Sequence, residues 1–180
     1  MEPSRGERFE RLFRDSYPLI RAYALRRAAP DAAQDAVAET FLVAWRRLED
    51  VPEDSVPWLY GTARRVLANQ RRSAARGVAL EQRLSGAAAA HSASDVGDSV
   101  ADSELVRLAL GRLSDRSREA LMLVAWEGLD GARAAQAAGC SKAAFAVRVH
   151  RARAQLAGEL ASLEAAPAPS LEPRSLEVNP

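Results

Sequence analysis

Large apolar side chains recur at helical spacing in some stretches of this chain and vanish from others. Phe9, Leu12, Phe13, Tyr17, Ile20 and Tyr23 follow a helical period. Pro18 falls inside that run, which predicts a kink or break there. Pro30 and Asp31 open a second helix. Along it Val37, Phe41, Ala44, Trp45 and Leu48 make one stripe, with Asp35, Glu39 and Thr40 on neighbouring faces. Residues 48–57, LEDVPEDSVP, read as a loop. A third helix is expected from near Pro57 to about Arg72. From 73 to 103 the chain turns to Ala, Ser, Gly and Asp without aromatic residues, with room for a short helix at 78–84. Such a segment buries too little to offset chain entropy and reads as a linker.

Periodicity returns with Leu105, Leu108, Leu110 and Leu113, then Leu121, Leu123, Val124 and Trp126. This predicts two helices broken near Ser114, which caps the second. Gly128 ends that helix. Ala132 to Ala138 form a short one, Gly139 suits a left-handed turn, and Ser141 caps the next helix. Short helix, glycine turn and longer helix make a helix-turn-helix. Phe145, Val149 and Leu156 supply its inward face. From Ala165 onward, four prolines predict a disordered tail. The expected fold class is all-α: two small helical domains, 5–76 and 104–164, joined by a flexible linker at 77–103, the second a helix-turn-helix, followed by a Pro-rich tail at 165–180.

Composition narrows this picture. Hydrophobic residues make up 48% of the 180, but 38 residues are alanine. The remaining apolar volume suits small helical cores, not one wide sheet. No run approaches the roughly 18 apolar residues of a membrane span, and the charged start lacks a signal-peptide core, so no membrane insertion is expected. One cysteine and two distant histidines leave no disulfide framework or metal cluster to expect. The reading is a cytoplasmic protein without metal or cofactor.

The net charge of +1 hides segregation. Residues 1–76 carry net +3, 77–104 net −4, and 105–164 net +3. Two basic blocks around an acidic connector suit two modules facing a polyanion. On the third helix, Leu59, Ala63, Val66, Leu67 and Gln70 share one arc. Gly61, Arg64, Arg65, Arg71 and Arg72 share the other, with Trp58 and Asn69 at its edge. Five arginines and no acid lie between Ala63 and Arg76. Such a stripe beside a ring suits a nucleic-acid backbone and a stacked base. Core packing is an equal role for Trp58. The last long helix carries Lys142, Arg148, Arg151 and Arg153, with no acid from Ser141 to Leu156. A helix of that kind fits a major groove, with early residues such as Ser141 and Lys142 on base edges and later arginines on phosphates. Cys140 reads as a small side chain in the turn.

Both modules together resemble group 4, extracytoplasmic-function (ECF), sigma factors, over about 7–74 and 104–160. DAAQDAVAETFLVAWRR resembles the helix that docks on the clamp of the polymerase β′ subunit. The resemblance implies polymerase binding by Asp35, Glu39, Thr40, Phe41 and Trp45. PWLYGTARRVLANQRR resembles the −10 helix, which implies contacts by Trp58, Arg64, Arg65, Asn69, Arg71 and Arg72, with 48–57 as the loop that captures a flipped base. LGRLSDRSREALML and the helix-turn-helix resemble the −35 domain, which implies Ser141, Lys142, Arg148, Arg151 and Arg153. The implied partners are core RNA polymerase (β′ clamp and β flap), promoter DNA and an anti-sigma factor, and no enzymatic site is implied. The pattern is departed from at Arg65 (usually Asn), Asn69 (commonly Asp), Arg133 (usually Glu) and Ala144 (usually Thr). Two other readings are a dimeric helix-turn-helix regulator that binds duplex DNA without polymerase, and a protein-binding helical adaptor. The basic face at 58–72 argues against the first, and the acid-free helix at 141–156 against the second.

Overall fold

The computed structural model describes residues 4–85 and 101–165. The middle of the expected linker (86–100) and most of the expected tail (166–180) lie outside the described residues. Among the described residues all regular structure is helical: α1 Arg5–Leu25, α2 Pro30–Arg46, α3 Ser55–Ser85, α4 Ala101–Arg112, α5 Asp115–Ala125, α6 Gly131–Ala138 and α7 Lys142–Glu164. A single 3-10 turn, Leu48–Asp50, lies in the loop before α3. None of these helices is long and apolar enough to cross a membrane.

Local signals account for most helix ends. Ser4 and Glu7 form a reciprocal capping box, and the backbone bond from Ser4 holds the Glu7 carboxyl below its ordinary range. Ser114 accepts from Ser117 N, and Ser141 from Ala144 N. Gly128 and Gly139 take positive φ, 63° and 68°, where a side chain would be strained. Asp130 accepts from the amides of Ala132 and Arg133 and caps α6.

Two expectations are corrected. The helix does not break at Pro18: α1 runs unbroken from Arg5 to Leu25. Proline removes one donor, but side chains on both sides of it anchor the helix, Phe13 and Tyr17 against Phe41 and Ile20, Tyr23 and Ala24 in the core. The third helix does not stop near Arg72 but continues to Ser85, well into the segment read as linker. Alanine and arginine in that segment are good helix formers, which composition-based linker reasoning underweights.

The first three helices pack around Ile20, Tyr23, Ala36, Val37, Phe41, Leu59, Ala63 and Leu67. Phe145, Val149 and Ala152 point inward from α7. Leu113, Leu121 and Ala152 form a second, smaller cluster that pins α4 and α5 to α7. Arg118 stitches α4 to α5 by donating to the carbonyls of Leu110, Gly111 and Leu113 at 2.8, 3.0 and 3.1 Å. The two modules also meet. Ala120, Leu123, Leu129, Ala134, Ala135 and Ala137 belong to the same buried cluster as the core of α1–α3.

Candidate nucleic-acid and polymerase interfaces

The α2 face divides into surface and interior. Asp35 and Glu39 are exposed. Thr40 is fully buried and its hydroxyl donates to Ala36 O at 2.6 Å. Phe41 is also buried, its ring 4.7 Å from that of Phe13. Thr40 and Phe41 thus lie beneath the face that Asp35 and Glu39 present, Phe41 packed against the α1 rings of Phe13 and Tyr17. Trp45 stays 39% exposed. The Arg5 guanidinium lies over its ring at 4.9 Å and donates to its carbonyl. Phe13 and Tyr17 of the helical run lie partly exposed beside Phe9 and Trp45 and form an aromatic ridge. Leu42 on α2 is exposed as well. Large exposed apolar side chains so grouped mark a protein-binding surface.

On α3, Leu59, Ala63, Val66 and Leu67 are buried, as the helical arc requires. Trp58 is partly buried against the core. Arg65, Asn69, Arg71 and Arg72 are exposed and Arg64 is half-buried. Among the described residues none of these four arginines has a carboxylate partner within 4.0 Å. They bond instead to neutral groups: Arg64 to Ala137 O, Arg65 to Thr62 Oγ1, Arg71 to Arg27 O, and Arg72 to Asn69 Oδ1. Burial, then Arg64 and Arg47 nearby, holds the Arg65 pKa below its ordinary value. Burial is the larger cause, and the two neighbouring guanidinium groups add to it. Gly61 is buried although it shares the arc of the arginines. The reason is α6, whose Ala137 carbonyl would stand 3.2 Å from a Cβ at Gly61.

On α7, Ser141, Lys142, Arg151 and Arg153 are exposed and Arg148 is half-buried. None of the four basic groups has a carboxylate partner among the described residues. Arg148 and Arg151 line a shallow groove of about 550 Å³ with Ser117, Ala144, Val147, Ala154 and Gln155. Val147 is 50% exposed there, an apolar contact for a base methyl. Several arginines elsewhere are paired. Arg112 meets Glu159 at 3.1 Å, and Arg133 forks Asp54 at 2.9 Å through both nitrogens. Cys140 is free and half-buried, and no cluster of metal-ligating side chains occurs among the described residues.

Comparison with known proteins fits this geometry. A family model for sigma-70 region 2 matches residues 12–77, and one for sigma-70 region 4 matches residues 103–156. The RNA polymerase sigma factor NccH of Alcaligenes xylosoxydans xylosoxydans is 35% identical over 139 residues, which is 71% of this chain and 73% of that protein. The ECF RNA polymerase sigma factor EcfG of Rhodopseudomonas palustris is 32% identical over 147 residues, 79% of this chain and 80% of that protein. Among solved structures, the sigma factor RpoE in complex with the anti-sigma factor NepR, from Bartonella quintana, superposes with a TM-score of 0.65 at 28% identity. That match covers 85% of this chain and 96% of RpoE. CnrH in complex with the cytosolic domain of CnrY gives 0.59 at 25% identity, over 86% and 88% of the two chains.

The chain belongs to the ECF group of sigma-70 RNA polymerase sigma factors. It is an alternative sigma factor that directs promoter recognition and transcription initiation, and the dimeric-regulator reading is set aside.

Proposed function

We propose a division of this work among three faces. The α2 surface of Asp35, Glu39 and Trp45, extended by the Phe13 and Tyr17 ridge, docks on core polymerase, with Thr40 and Phe41 fixing its shape from beneath. The basic face of α3 holds the non-template strand of the melted −10 element, through Arg64, Arg65, Arg71 and Arg72 on phosphates and Asn69 and the edge of Trp58 on bases. Capturing an unpaired base outside the duplex offsets the few kcal/mol that opening it costs. The groove face of α7 reads the −35 duplex, with Ser141 and Lys142 at base edges and Arg148, Arg151 and Arg153 on the backbone. The observation that carries this reading is the pair of arginine-lined faces, on α3 and α7, whose basic groups have no carboxylate partner among the described residues. The domain bounds follow: 5–76 for polymerase and −10 binding, 104–164 for the −35 element.

The chain acts by binding, and the chemistry is that of the polymerase. It works in the cytoplasm, where its polymerase and template are. Its structural relatives RpoE and CnrH were solved bound to NepR and to the cytosolic domain of CnrY, which supports an anti-sigma partner here too.

The test is a pull-down of purified core polymerase by the full chain. Wild type is expected to bind stoichiometrically, and Asp35→Ala/Glu39→Ala/Trp45→Ala to lose most of that binding while keeping its helical content. Equal binding by the variant would overturn the α2 assignment.

A further inference from the structure

The early part of α7 has almost nothing with which to read bases by hydrogen bonding. Ala143, Ala144, Phe145, Ala146 and Val147 follow one another, and none carries a side-chain donor or acceptor. Phe145 faces the core, 1% exposed. The other four are exposed. Along the chain the nearest polar side chains are Ser141 and Lys142 before the run and Arg148 after it. Bases that face this run in a major groove therefore meet only methyl and methine groups.

Val147 is the largest of the four exposed side chains. It lies two residues from Phe145 and two from Val149, both buried, and helical geometry turns it about 160° away from them. It is 50% exposed. A β-branched residue in the middle of a helix costs some helix propensity, and here it adds nothing to the core. One exposed valine is ordinary on a protein surface, but the surroundings single this one out. It borders the groove that Arg148 and Arg151 line, on a helix with no acid from Ser141 to Leu156. The first turn of α5 makes the facing wall. Ser117 donates its hydroxyl to Gln155 Oε1 at 3.2 Å and accepts from the Ser114 hydroxyl at 3.0 Å, which ties that turn to α7. By helical period Arg148 and Gln155 lie on the wall side of α7, and Val147 lies on its outermost edge.

We propose that Val147 is a specificity-determining residue of the −35 contact and that it recognises the C5-methyl group of a thymine. This rests on the assignment of the −35 duplex to α7. Thymine alone among the four bases presents a methyl group in the major groove. Arg148 and Arg151 on the backbone bring Val147 against the base edges, and Ala143 and Ala144, one turn earlier, are too short to hold those edges off. A cytosine amino group or a purine N7 at the same place would lose water to Val147 and gain no partner. Selectivity thus comes from methyl burial for thymine and from unpaired polar edges against the other bases.

The experiment uses holoenzyme containing the full chain and a promoter duplex selected from a pool randomised at −35. Each thymine of the selected element is replaced in turn by deoxyuridine, which lacks only the methyl group. Competition binding is expected to find a position at which this weakens binding by about fourfold, the worth of one buried methyl. Val147→Ala is expected to bind the thymine duplex about as weakly as wild type binds the deoxyuridine duplex. It is also expected to lose the distinction between the two, the double-mutant signature of a direct contact. Because Val147 is half exposed, the variant is expected to keep the wild-type denaturation midpoint. A selected element without thymine, deoxyuridine that is neutral at every position, or a methyl effect that Val147→Ala keeps in full each overturns the proposal. Arg148→Ala/Arg151→Ala then shows what has failed. If that pair weakens duplex binding, α7 still holds the −35 element and only the methyl contact is lost. If the pair leaves binding unchanged, the assignment of the −35 duplex to α7 fails, and the methyl contact fails with it.

Discussion

α3 and α7 are both arginine-rich helices with one buried face, yet their surroundings differ. The outer face of α7 is open, with Lys142, Arg151 and Arg153 exposed. At the N-terminal half of α3, Gly61 lies against Ala137 of α6 and Arg64 donates to that residue's carbonyl, while Arg65, Arg71 and Arg72 stay exposed. Similar composition thus meets different surroundings, decided by what tertiary structure lays alongside.

The largest effect that breaks the comparison should come from α7. Arg148→Ala/Arg151→Ala is expected to weaken duplex promoter binding by the holoenzyme by at least about thirtyfold, and to lower the salt slope by about 2 if both contact phosphate. Competition binding across a salt series checks it. Phe145→Ala should break the same region from inside. Its ring is 1% exposed, and truncating such a ring costs about 3–5 kcal/mol, visible as a lowered denaturation midpoint.

Glu127→Ala acts where the two modules meet. It takes from the buried Arg27 guanidinium one of its two carboxylate partners, Glu119 remaining at 2.8 Å, and so destabilises the fold while the modules stay together. Part of that penalty is relieved by separation, so limited proteolysis is expected to cleave α3 faster in this variant. Alkaline pH sharpens the same point. Burial, with Glu127 next, pushes the Tyr60 pKa up to about 12. Burial, with Glu119 next, also raises the Tyr23 pKa well above its ordinary value. Both rings keep their protons in the folded chain at pH values where an unfolded chain ionises. Their contribution is therefore complete below about pH 10 and is lost as pH rises through the folded values. Denaturant titrations should show stability falling between about pH 10 and 12, and Tyr60→Phe should flatten that fall. The smallest effect is Asp130→Ala, which removes the side-chain cap of α6 and is read as a small fall in the denaturation midpoint.

What was legible in the sequence was local. Ser114, Gly139 and Ser141 carry their instruction in their own backbone preferences, and the inward positions of α7 follow from period. The cap at Asp130 carries the same kind of local signal, an aspartate just ahead of an alanine-rich helix. Burial of Thr40 and Phe41 was not legible, because a stripe wide enough to include both core and rim leaves the boundary to whichever helix packs there. The meeting of the modules was least legible of all. Arg27 finds Glu119 and Glu127 at separations of 92 and 100 residues, and no spacing rule links residues that far apart.

The most direct test of the division between α3 and α7 is run-off transcription by holoenzyme on a promoter selected with the wild-type chain. The template is compared fully duplex and with its −10 element premelted. Arg65→Ala/Arg72→Ala is expected to fail on the duplex and to recover most of its activity on the premelted template. Arg148→Ala/Arg151→Ala is expected to fail on both. Equal behaviour of the two variants on the two templates would contradict the account.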